Sequence, residues 1–262
     1  MPHIGDQNDN LNKTMKPKDS AQLNQSCQWM EDLLDSERSR VHQDLHVQIF
    51  EAGRPVCWRG EHAEHWVGVL SGLIKISPVQ LAGKTIPSNG VVPGGWFGED
   101  ALLKRGAWQC DVVALRTSHV GLLPAETFFW LLDRSFAFNR TIVNQLNARL
   151  GQITEQMQVE RLAGSDERVA HTLGAMFHPV LYPAVGQLLH VTQEELGSLC
   201  GLSRQRVNQA LQRLSGLGLL RSRYGSIEVP DPQALRAFTS IAVDGGRPQR
   251  GNRGAAQSSQ AN

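Results

Sequence analysis

Residues 191–224, VTQEELGSLCGLSRQRVNQALQRLSGLGLLRSRY, leave the chain little freedom in what it can build. Thr192 with Glu195 three residues on has the spacing of a capping box, which starts a helix by satisfying two backbone N–H groups reciprocally. Leu196 and Leu199 then face inward, and Cys200-Gly201-Leu202 makes a short turn in which Gly201 takes a positive φ without steric cost. Ser203 is a good cap for a second helix running to about residue 214, with Val207, Leu211 and Leu214 on one face. Gly216 and Gly218 permit a turn, and residues 219–223 and 226–229 pair across Tyr224-Gly225 as a small wing. The pattern is a helix-turn-helix followed by a β-wing.

From Gly201 to Gly225 there are five arginines (Arg204, Arg206, Arg213, Arg221 and Arg223) and no Asp or Glu. A solvated helix usually mixes signs, and that is the bland alternative here. A helix facing phosphates does not, because each cation that neutralises a phosphate releases a counterion. The start of the second helix is where such motifs meet base edges. Arg grips guanine bidentately, and Gln or Asn grips adenine. Arg204, Gln205 and Gln209 are therefore the expected base readers. Thr192, Ser203, Arg206 and Asn208 complete the surface, and Arg221 and Arg223 on the wing suit backbone phosphates. The implied partner is double-stranded DNA. Net charge over 262 residues is only +1, so any affinity for a polyanion comes from this local patch.

The motif Thr192, Glu195, Leu196, Gly197, Gly201, Ser203, Arg204, Val207, Leu211 and Leu214 resembles the DNA-binding domain of the Crp/Fnr superfamily of bacterial transcription regulators. The run "I-F-E-A-G … G-E … W-V-G-V-L-S-G-L-I-K-I … G-G-W-F-G-E" is similar to the cyclic-nucleotide-binding jelly roll of the same superfamily, and the resemblance covers roughly three quarters of the chain. It implies an α+β fold with an N-terminal β jelly roll, a long dimerisation helix and a C-terminal winged helix-turn-helix. It also implies a homodimer on a near-palindromic site with half-sites about one helical turn apart, contact with RNA polymerase, and control by a small effector. Many members carry Glu where Gln205 stands and Arg where Gln209 stands, so a different half-site is expected.

The division expected is a disordered arm (1–25), a jelly-roll effector domain (26–135), a dimerisation helix (136–163), a winged helix-turn-helix domain (164–242) and a disordered tail (243–262). The arm and tail are polar and have little to bury. A short helix is expected near 26–34 and a connector over 39–44. Over 46–123 the runs VQIF, VCW, WVGVL, LIKIS, DVVAL and HVGLL are separated by Gly and Pro. That is a β-sandwich or roll, with no 3.6-residue period long enough for helices. Residues 125–162 are helical, opening with Phe128, Phe129, Leu131 and Leu132 as a separate short helix. Ile142, Leu146, Leu150, Ile153 and Met157 then form a narrow seam like that of a coiled coil, which either packs on its own β-domain or, as the resemblance implies, is the dimer interface. Gly151 within it costs about 1 kcal/mol of helix propensity and marks close approach of a partner or ligand. Residues 163–166 are the expected hinge, followed by a helix over 167–178, a short strand over 188–191 and a last helix over 231–238.

In the cyclic-nucleotide-binding resemblance, Gly98 and Glu99 meet the ribose, while an Arg-Ser pair ten and eleven residues after the Glu holds the phosphate. Those places fall on Gln109 and Cys110, with Asp111 next. No guanidinium is there for the charge-assisted pair that a phosphate needs. A Thr-Ser pair that reaches the purine falls on Ile153-Thr154, leaving one hydroxyl. Gly98, Glu99, Gln109, Cys110 and Thr154 are thus the candidate ligand residues, and cAMP is disfavoured as effector; no cofactor is expected. Cys27, Cys57, Cys110 and Cys200 show no metal or redox spacing, and His46, His62 and His65 lack the pattern of a cupin metal site. No metal is expected, and no nucleophile elbow or P-loop marks an enzyme. With no apolar run of membrane-spanning length, the chain is expected to be cytoplasmic. The alternative is a ligand-binding or protein-interaction module that has lost DNA binding.

Overall fold

The short runs over residues 46–124 form two facing sheets. The computed structural model describes residues 26–77, 88–162, 164–223, 225–235 and 238. β1 (His46–Phe50), β3 (His65–Ser71), β6 (Trp96–Phe97) and β8 (Ser118–Pro124) make one sheet, in the order β1-β8-β3-β6. β2 (Pro55–Cys57), β4 (Ile74–Ser77), β5 (Asn89–Val91) and β7 (Asp111–Ala114) make the other, in the order β2-β7-β4-β5. The pairings are antiparallel, with Val67 opposite Leu122 and Ile74 opposite Ala114. Inward residues of both sheets, among them Val69, Ile74, Val112 and Val120, are fully buried, as sheet-on-sheet packing requires.

Three helical features of this domain differ from the sequence reading. The expected helix over 26–34 is a single 3-10 turn, Gln28–Met30. The expected connector over 39–44 is instead part of α1 (Asp35–Asp44). That helix has one buried apolar anchor, Val41, and so almost no sequence period. It forms because Glu37 accepts from Leu34 N (3.0 Å) and Ser135 Oγ (3.0 Å), while Arg40 reaches both Asp44 and Glu126 at 3.0 Å. A third helix, α2 (Glu99–Leu103), interrupts the strands; at five residues it is too short to show a 3.6-residue period.

α3 (Ala125–Arg134) is the separate short helix expected, and α4 (Phe136–Leu162) follows after one extended residue, Ser135. An aromatic cluster sets its rotation: Phe138 meets Trp66 at 5.4 Å and Phe128 at 5.4 Å between ring centres. That turns the face bearing Phe138, Ile142 and Arg149 toward the roll. Ile142 is only 3% exposed, so this member of the expected seam belongs to its own domain, and Leu146 is half-buried on the same core. The exposed apolar row lies one residue further on, about 100° round the helix: Phe136 (81% exposed), Val143 (62%) and Leu150 (64%), with Ile153 beside it. A list of apolar spacings cannot tell these two faces apart. Among the described residues outside its own helix, a Cβ on Gly151 would meet nothing within 4 Å. The side chain of Met157 lies outside the described residues, as do Ala163, Tyr224, the expected arm and the expected tail.

The C-terminal domain begins with α5 (Ser165–Ala175), which starts two residues before the expected helix over 167–178 and ends three residues before it. β9 (Leu188–Leu189), β10 (Arg221–Arg223) and β11 (Ser226–Glu228) form a three-stranded wing sheet in the order β10-β11-β9. α6 (Gln193–Cys200) and α7 (Arg204–Gly216) pack on α5 through Val169, Leu173, Leu196, Leu199, Val207, Leu211 and Leu214, all buried.

Candidate nucleic-acid interface

The helix-turn-helix is built by its caps. Thr192 Oγ1 accepts from Glu195 N (3.2 Å), and Glu195 Oε2 accepts from Thr192 N (2.8 Å), closing the box at the start of α6. Gly201 sits at φ 65° and ends that helix in a left-handed turn. Ser203 Oγ accepts from Arg206 N (3.4 Å) and starts α7. α7 buries Val207, Ala210, Leu211 and Leu214 and leaves Ser203, Arg204, Gln205, Arg206 and Gln209 exposed. Asn208 is half-buried instead: its Oδ1 accepts from Gln193 Nε2 (3.1 Å), tying α7 to α6. A groove of about 320 Å³ runs between the start of α6, α7 and the wing, lined in part by Thr192, Arg204, Ser222 and Arg223.

The five arginines separate into two kinds. Arg213 pairs with Asp166 at 2.8 Å. Arg221 and Arg223 both pair with Glu228, at 3.1 and 2.8 Å, across the β10–β11 hairpin. The carboxylate-free window thus meets acids from outside its own bounds. Among the described residues, Arg204 and Arg206 have no ion-pair partner, and both are exposed on the first turn of α7.

At the candidate ligand position the charges are matched within the chain. Gly98 adopts φ 97° ahead of α2, and a Cβ there would meet Trp108 at 2.5 Å. Glu99 is 0% exposed. Its Oε1 accepts from Arg149 Nε at 2.5 Å, its Oε2 from Trp66 Nε1 at 3.3 Å, and Arg149 Nη2 donates to the Trp96 carbonyl. Gln109 is exposed and donates to the Ala107 carbonyl (3.0 Å); Thr154 is exposed and donates to the Leu150 carbonyl (2.9 Å). Neither is drawn to Glu99. Arg149 was not among the expected site residues. It stands seven residues after Ile142, on the face of α4 that the fold turns toward the roll.

Residues 47–135 match the family model of the cyclic nucleotide-binding domain, and residues 167–238 match that of the Crp-like helix-turn-helix domain. The chain belongs to the Crp/Fnr superfamily. It is 25% identical over 188 residues to the cyclic AMP receptor protein of Thermus thermophilus, covering 72% of this chain and 85% of that protein. It is 26% identical over 180 residues to the transcriptional regulator SdrP of the same organism, covering 68% and 85%. Its fold is also that of FixK2 from Bradyrhizobium japonicum, with a TM-score of 0.54 at 18% identity over 74% of this chain and 96% of that one. This Crp/Fnr protein is a Crp-like transcription regulator with a helix-turn-helix DNA-binding domain.

Of the cysteines singled out in the sequence, Cys110 lies within electrostatic reach of Asp100 and Arg149, beside the candidate ligand position, and Cys200 is the last residue of α6. Cys27, Cys57 and Cys200 are buried and Cys110 is half-buried. Burial pushes their thiols up, Cys27 to about 12, Cys110 and Cys200 to about 11, and Cys57 higher still. Since the thiolate is the reactive form, these groups are poor nucleophiles at neutral pH. His46, His62 and His65 line one cavity of about 660 Å³ at the open end of the roll, with Phe50, Glu61 and Trp108. His62 Nδ1 donates to the Gly106 carbonyl at 3.0 Å. Among the described residues no group of three His, Cys, Asp or Glu is placed to hold a metal ion. Among the same residues no helix is long and apolar enough to cross a membrane.

Proposed function

We propose that this regulator binds a near-palindromic duplex as a homodimer, with residues 203–209 of each copy in successive major grooves. The observation that carries the reading is the first turn of α7, where Arg204 and Arg206 stand exposed beside Gln205 and Gln209 with no ion-pair partner among the described residues. Cations unmatched within the chain are what a phosphate or a guanine edge requires. The exposed row Phe136, Val143 and Leu150 repeats every seven residues, the period of a two-helix seam, and supplies the dimer contact along α4. Contact with RNA polymerase belongs to this proposal as well.

The effector, on this reading, is not cAMP. Glu99 already holds the Arg149 guanidinium, and Gln109 and Cys110 offer a phosphate no cation. An effector acts by shifting the population of domain orientations about residues 163–166. Selection of random duplex DNA by the purified protein at physiological salt tests the whole. Enrichment of a two-fold symmetric motif is expected. An asymmetric motif would remove the dimer, and no enrichment with or without cell extract would favour a module without DNA binding. Titration calorimetry with cAMP should give no saturable heat; saturable binding would overturn the effector reading.

A further inference from the structure

The roll grips the DNA-binding domain along the back of α6. Arg116, in the turn between β7 and β8, donates through Nε to Glu195 Oε1 (2.7 Å) and through Nη2 to Glu195 Oε2 (2.6 Å) and the His190 carbonyl (2.9 Å). Lys75 of β4 reaches Ser198 Oγ at 3.0 Å, and Ser88 N donates to the Leu199 carbonyl at 2.9 Å. From the other side, Tyr182 Oη donates to the Gly90 carbonyl at 3.2 Å. These contacts hold α6 at its start and near its end.

The Arg116 contact differs from the rest because of what else Glu195 does. The same carboxylate accepts from Thr192 N (2.8 Å) and Thr192 Oγ1 (2.9 Å). One acid therefore closes the cap of α6 and receives a bidentate guanidinium from a residue 79 positions earlier in the chain. Bidentate pairs fix orientation as well as distance. While the domain is docked this way, Arg204, Gln205, Arg206 and Gln209 stay exposed. The grip holds the back of the motif and leaves the reading face uncovered, which is the arrangement of a support and not of a block.

We propose that Arg116 is a positioning residue for DNA recognition. Through Glu195 it sets the angle at which the roll presents α7, so that two copies meet two half-sites without first ordering a loose domain. The reading rests on the symmetric dimer proposed above. The test compares wild type with Arg116→Ala, Arg116→Lys and Glu195→Gln on two duplexes, one with both selected half-sites and one with a single half-site. Gln at position 195 keeps the capping box and removes the ion pair. Arg116→Ala and Glu195→Gln should each weaken binding to the double site about tenfold and leave the single half-site within twofold. The double variant Arg116→Ala/Glu195→Gln should lose no more than Arg116→Ala alone, since that change already removes the ion pair together with the bond to the His190 carbonyl, and Arg116→Lys should fall between wild type and Arg116→Ala. Equal losses on both duplexes, additive losses, unchanged binding, or tighter binding would each overturn the proposal. If wild type itself gains nothing from the second half-site, the dimer reading has failed instead.

Discussion

Arg149 in the roll and Arg204 at the start of α7 carry the same guanidinium into opposite surroundings. Arg149 of α4 is held by the Glu99 carboxylate and the Trp96 carbonyl. Arg204 faces solvent with no ion pair among the described residues. A charge matched inside the chain is structural, because removing either partner strands the other away from water. A charge left unmatched adds little to the fold and is available to a ligand. The contrast separates the two halves of this regulator: at the candidate ligand position the charges are matched within the chain, while at the start of α7, the candidate DNA surface, they have no ion pair among the described residues.

The largest expected effect tests the matched side. Arg149→Met leaves Glu99 buried and unpaired, and should cost about 3–5 kcal/mol of stability, as broken buried pairs do. Denaturant melts would show it. A loss under about 1 kcal/mol would mean that water reaches Glu99. Next comes the unmatched side. Arg204→Ala should leave those melts within about 0.5 kcal/mol and lower specific DNA affinity by about 1–3 kcal/mol. An even loss on all sequences, with a shallower salt slope, would make Arg204 a phosphate contact.

A smaller effect lies between the two extremes, on the wing. Glu228→Gln removes the acid shared by Arg221 and Arg223. Nonspecific duplex affinity should rise, and the slope of log K against log salt should steepen by up to about 0.9 for each arginine released. An unchanged slope would show that the wing stands off the phosphates. The smallest effect concerns pH. Burial lowers the pKa of His171 on α5, so the folded protein refuses a proton that the unfolded chain accepts below about 6.5. Stability is unaffected above that value and falls as pH drops through it toward the folded pKa. His65 in the roll shifts the same way, with burial as the first cause. His171→Gln should flatten part of the acid limb in melts taken from pH 7.5 to 5.5, and His65→Gln another part.

What was legible from sequence follows the distance over which each feature is decided. The caps at Thr192 and Ser203 are set within three residues, and the structure has both. The β-roll was visible because its strands and turns are local. The pairing of Glu228 with Arg221 and Arg223 was not, since it needs the hairpin to be folded. Arg149 with Glu99 spans 50 positions and Arg116 with Glu195 spans 79, so neither shows in any window of the sequence. The apolar spacing along α4 is divided for a similar reason. Leu150 and Ile153 are exposed, but Ile142 is buried in the same core as Trp66, Phe128 and Phe138, which a spacing rule does not see.

α4 carries these threads on one rod. Its inner side plugs Arg149 into the roll, Gln152 Nε2 fastens it to the Ala175 carbonyl of α5 at 3.0 Å, and its outer row of Phe136, Val143 and Leu150 is left bare. A rod with two such attachments works as an axle. Because Arg149 and Gln152 stand three residues apart on one helix, a roll of α4 about its own axis carries the Glu99 anchor and the end of α5 together.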